Sequence, residues 1–151
     1  MLIQTFVAAG ISGILYRLGG WEKGNKAIRR FGCPFVAYGL LWCFRPFQGL
    51  QGWLLVVLAY ILSTLALSTY HDYLAPDKKS ENWLCWLVTG IVYGLAAFPL
   101  FWAGIHWYSI IIRAILLGAG IMLLREHTGS DIVEEAGSGF LFCFSIPILL
   151  L

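Results

Sequence analysis

Residues 82–124 read NWLCWLVTGIVYGLAAFPLFWAGIHWYSIIIRAILLGAGIMLL, and the reading of this stretch decides the fold. It is 43 residues long and carries one formal charge, Arg113. A soluble core has no use for so long an apolar run, whereas a bilayer takes about 20 such residues per helix. Two membrane helices fit, separated by a turn over residues 99–106.

The rest of the chain agrees. Of 151 residues, 60% are hydrophobic and 12% charged, and the mean hydropathy is +0.79. A soluble domain is about 25% charged, so the composition indicates one polytopic membrane domain. The net charge of +2 is small, and there is no basic stripe interleaved with aromatics, which argues against a nucleic-acid partner. Cys33, Cys43, Cys85 and Cys143 lack CxxC spacing and read as small hydrophobes inside apolar runs.

Working outward, the fourth and fifth helices are expected near residues 83–103 and 108–124. The first is expected near 2–18, the second near 31–44, the third near 52–70 and the sixth near 131–151. The first run has no positive charge ahead of it, as a signal peptide would; its charge, Arg17, follows. An uncleaved span is therefore expected. The second run is short, and Pro34 suits its start. Ser80 is placed to cap the fourth helix.

Charge sets the orientation. With the N-terminus outside, the inner loops hold Arg17, Lys23, Lys26, Arg29, Arg30, Lys78, Lys79 and Arg125, and the outer loops hold Arg45 alone. That asymmetry follows the positive-inside rule, and it requires residues 31–44 to span. The tryptophans agree. Trp21, Trp83 and Trp86 fall at the inner interface, and Trp42, Trp53, Trp102 and Trp107 at the outer one, where amphipathic rings settle. The expected fold is thus all-α: a bundle of six transmembrane helices with both termini outside, multi-pass in a bacterial inner (cytoplasmic) membrane, with the lipid bilayer as its first partner. The segment holding Lys23, Lys26, Arg29 and Arg30 is read as a basic loop facing lipid headgroups.

Two polar features stand out. Arg113 lies near the middle of its predicted helix. A mid-bilayer arginine costs about 2.5–3.5 kcal/mol even on insertion-based scales, so it must face the bundle or a wet cavity. It is either a structural group bonded to backbone carbonyls or a charge lining a pathway. The second feature is a cluster at the inner face: Arg17, His71, Asp72, Glu134 and Glu135, with Arg125, Glu126, His127 and Asp131 close by. If a metal binds, Asp72, His71, Glu134 and Glu135 are its ligands, and a divalent cation suits such carboxylates; no other cofactor is signalled. Asp131 and Glu134 also have capping-box spacing. Glu135 stands on a face of small residues, suited to burial against another helix. His106, in the short turn, is read as exposed. No nucleophile elbow, phosphate loop or HExxH motif occurs.

Three resemblances add to this. Tyr16-Arg17-Leu18-Gly19-Gly20, Gly32-Cys33-Pro34, Leu67-Ser68-Thr69-Tyr70 and Glu134-Glu135-x-x-x-Gly139-Phe140 resemble small polytopic membrane proteins of tailed-phage genomes, a group that implies no particular activity. Gly10-Ile-Ser-Gly13-Ile-Leu-Tyr16-Arg17 is similar to the first-helix motif of the fluoride-channel family. The order here is Tyr-Arg where that family has Arg-Tyr, and its asparagine-bearing second helix is absent. Asp131-Ile-Val-Glu134-Glu135-Ala-Gly137 resembles the acidic motif of phosphatidylglycerophosphatase A, which implies magnesium and a lipid phosphate. That family's other motifs are not evident.

Three functions are expected. The first is a small channel or transporter subunit acting as a homo-oligomer, with Arg113 in its path and Glu135, Asp72 and His71 at its inner mouth. The second is a metal-dependent enzyme acting on lipid headgroups, with Arg17 holding the phosphate. The third is a non-catalytic protein, an exclusion or lysis factor, that binds another membrane protein.

Overall fold

A computed structural model gives the fold and describes residues 1–69 and 83–151, with residues 83–87 and 89 in backbone only. The molecule is built of helices, and no strand occurs among the described residues. They are α1 (Leu2–Gly20), α2 (Cys33–Phe44), α3 (Gly49–Thr69), α4 (Trp83–Ala97), α5 (Trp107–His127) and α6 (Asp131–Phe144). Four helical stretches are long and apolar enough to cross a membrane: Leu2–Gly20, Gly49–Thr69, Trp107–His127 and Asp131–Leu150.

Proline shapes the two shorter helices and the end of α6. A π-helical segment, Ile28–Gly32, leads directly into α2, where Pro34 sits in the first turn. Proline has no N–H and its ring crowds the carbonyl four residues back; here that carbonyl belongs to Arg30, inside the widened turn. The helical path therefore runs without a break over residues 26–44, about 28 Å at 1.5 Å per residue. It starts farther back than the sequence suggests, with the Asn25 side chain accepting the Ala27 N–H at 3.0 Å as an N-cap does. Pro99 likewise converts the end of α4 into the 3-10 turn Phe98–Phe101. Pro147 converts the end of α6 into Ile146–Leu150.

The interior is apolar with several polar side chains among it, and large apolar side chains also cover the outside. Thr5, Ser12, Ser63, Ser109, Arg113 and Ser138 are buried, while Leu2, Ile3, Phe35, Leu50 and Leu95 are exposed. On α1 the buried face is Thr5, Ala9, Ser12, Gly13, Tyr16 and Gly19. Large apolar side chains turned outward need hydrocarbon around them, and small or polar ones turned inward allow close helix packing. This is a helical membrane protein.

The closest pair is α1 with α6, running antiparallel. Phe6 meets Phe144 near one end, with ring centroids 5.3 Å apart, and Arg17 meets Glu135 near the other. Between them a Cβ on Gly13 would stand 2.8 Å from the Ala136 carbonyl oxygen. A Cβ on Gly139 would stand 2.6 Å from that of Ser12. The helix α5 packs on the other side of α6 and carries α4 beyond it. Met1 and Leu2 share a groove with Pro147 and Ile148, so both termini lie at one end of the bundle.

Candidate functional site

Charged side chains inside this bundle fall into two groups, with Arg29 of the first loop buried apart from both. The first is Arg113, which is 1% exposed. It stands six residues after the start of α5 at Trp107, about 9 Å along the axis and not at mid-helix. That height brings it level with the C-terminal end of α6. Its Nε donates to Ser145 Oγ at 3.1 Å and its Nη2 to the Phe142 carbonyl at 3.2 Å. Ser145 Oγ donates to the same carbonyl at 3.0 Å. The guanidinium also lies over the Phe142 ring, 4.9 Å from its centroid.

Helices run out of intrahelical donors in their last turn, and Pro147 withholds one more. A cation there also opposes the partial negative charge of the helix end. Arg113 thus closes the C-terminus of α6 from a neighbouring helix. No carboxylate pairs with it among the described residues.

The second group lies at the end of the bundle away from the termini. Arg17 Nη1 donates to Glu135 Oε2 at 2.7 Å, and the two side chains are 29% and 19% exposed. Gly20 makes room for this carboxylate: a Cβ there would collide with the Glu135 carboxyl group. Glu134 Oε1 lies 4.0 Å from Arg125 Nε. The expected capping box is not formed. Asp131 is already the first helical position of α6 and so is not its N-cap; that position falls to Ser130, which makes no side-chain cap bond.

Of the expected site residues, the fold brings Arg17 and Glu135 together and sets Glu134 toward Arg125. Arg113 is sealed at the other end. His71 and Asp72, and Ser80 with them, lie outside the described residues. No three His, Cys, Asp or Glu side chains converge as a metal would require, among the described residues.

The basic loop is divided. Arg29 is 6% exposed, with its guanidinium 5.6 Å from the centre of the Tyr16 ring. Gly19 lets the backbone of Arg29 lie directly against α1. Arg30 is half-buried, while Lys23 and Lys26 are exposed. His106 is exposed and stacks on Tyr108.

Sequence reasoning missed a buried polar node. Ser12 Oγ lies 2.8 Å from Cys33 Sγ and donates to the Gly139 carbonyl at 2.8 Å, joining α1, α2 and α6. A serine one residue before Gly13, the small residue of a packing motif, was the available signal. Tyr38 and Ser63 join α2 to α3 through hydroxyls 2.7 Å apart. Cys33 and Cys143 are free and buried, as expected; Cys43 is free and exposed. The chain matches no family model, no curated protein and no solved structure.

Proposed function

We propose that this protein is a small channel or transporter subunit with six spans and both termini outside, working as a homo-oligomer in a bacterial cytoplasmic membrane. The observation that carries this reading is the Arg17–Glu135 pair. It joins the first and last long helices and stays partly open to the surroundings, whereas Arg113 and Arg29 are sealed. A fixed pair at a helix mouth can select among ions by charge and open when one partner is displaced. In this reading Arg113 holds α5 in register on α6 and does not line the path.

The homo-oligomer forms on another face. The groove between α4 and α5, about 420 Å³ and lined by Gly90, Gly94 and Ala114 among branched apolar side chains, supports close approach of a second copy. The shorter helices fit six spans unequally. The apolar part of the second path, residues 31–44, is about 21 Å long and crosses a core of about 30 Å with local thinning of the bilayer; α4 with its 3-10 turn reaches about 30 Å.

The test is ion flux. Purified protein is placed in lipid vesicles carrying a K⁺ or Cl⁻ gradient, with a voltage-sensitive dye as readout. Flux above that of protein-free vesicles is expected, changed several-fold by Glu135→Gln. Correctly inserted, assembled protein that leaves both gradients intact would overturn the proposal.

A further inference from the structure

The loop between α1 and α2 gathers cations of different standing. Arg17 is engaged by Glu135 and Arg29 is tucked under Tyr16. Lys23 and Lys26 make no ion pair among the described residues and are exposed. Close around them, Trp21, Ile28 and Phe31 are 63%, 38% and 53% exposed. The one acid in the loop, Glu22, is outnumbered.

The segment is not left to float. The Gly24 N–H donates to the Trp21 carbonyl at 2.7 Å, and the Ile28 N–H to that of Asn25 at 2.9 Å. The π-helical turn behind it is fixed from two sides, by Gly19 against Arg29 and by the Tyr60 hydroxyl donating to the Phe31 carbonyl at 3.2 Å. Two exposed lysines are thus carried on a fixed backbone at the Asn25-capped start of a long helix, whose N–H groups also favour an anion. Exposed apolar side chains adjoin them, at the junction of two membrane helices.

We infer that this loop binds the headgroup of an anionic phospholipid. Lys23 and Lys26 hold its phosphate, and Trp21, Ile28 and Phe31 lie along the upper part of its acyl chains. Charge complementarity selects this occupant. A zwitterionic headgroup brings its own cation and gains little from two lysines, whereas basic side chains at a membrane surface favour anionic lipid strongly. The inference is independent of what the protein transports.

Mass spectrometry of the intact detergent-solubilised protein tests it, after incubation with equal amounts of phosphatidylglycerol and phosphatidylcholine. The wild type should retain phosphatidylglycerol preferentially. Lys23→Gln with Lys26→Gln should cut that preference by about five-fold for each lysine. The paired change to arginine should keep it. Both side chains are exposed, so the variants should fold, and an unchanged elution volume and helical circular dichroism confirm it. Equal retention of the two lipids by the wild type, or an undiminished preference in the glutamine variant, would overturn the inference. So would retention of inorganic phosphate, supplied alone at the same concentration, as strong as that of phosphatidylglycerol, which would make this a site for the free anion.

Discussion

Arg113 shows how one side chain can tie three structural requirements together. It needs partners because it is buried, the end of α6 needs donors, and α5 needs a fixed height beside α6. The bonds to Ser145 and the Phe142 carbonyl meet all three. Arg113→Leu should therefore lower stability by about 1–3 kcal/mol, the usual cost of orphaning buried polar groups. Arg113→Lys should recover only part, since an ammonium cannot reach both acceptors and lie flat on the Phe142 ring. Thermal unfolding in detergent reads both, and a leucine variant as stable as wild type would deny the bonds any structural weight. That Arg113 faces inward was legible from the cost of leaving it in lipid. Its partner was not, because a backbone carbonyl has no sequence signature. The available clue was Pro147, which frees carbonyls in the turn before it. Glu135 was easier to place, since the small residues after it marked a packed face.

At the scale of the helices, glycine decides how closely they meet. Gly139 faces Ser12, Gly13 and Tyr16 at contact distance, whereas nothing lies within 4 Å of a Cβ placed on Gly10. Gly139→Val should destabilise the molecule by about 1–3 kcal/mol through overpacking. Gly10→Ala, one turn away on the open face of α1, should be neutral or slightly stabilising because alanine is the better helix former. Comparing their unfolding midpoints checks the α1–α6 contact, and equal midpoints would refute it. Ala9 and Gly13 stand four residues apart on the buried face of α1, a small-residue spacing that allows close approach, and hydropathy set the bounds of the long helices to within a few residues. The changes of helix type were not foretold. Each depends on how a proline ring meets the turn before it: Pro34 follows a widened turn, while Pro99 and Pro147 begin tightened ones.

For the whole molecule, the apolar outer surface and four long apolar helices establish the membrane as its surroundings, and the number of crossings is where a decisive measurement lies. The four long helices alone would make an even number of spans, as would all six, so the shared end of the two termini fits both arrangements. The loop after α3 separates them. If α2 and α4 do not cross, α1 brings the chain inside, α3 takes it out, and Lys79 lies outside. If they do cross, Lys79 lies inside with the other cations, as the positive-inside rule favours. Of the 19 helical residues over 26–44, the first five carry Lys26, Arg29 and Arg30 and stay at the headgroups, so the crossing rests on residues 31–44, about 21 Å, with local thinning of the bilayer. A fluorescent reporter that matures only in the cytoplasm, fused after Lys79, should therefore be bright, and alkaline phosphatase at the same site should be inactive. The reverse pattern would remove two spans. It would leave the Arg17–Glu135 pair at the inner end but put Arg45 inside with the first basic loop, and six crossings would no longer be tenable.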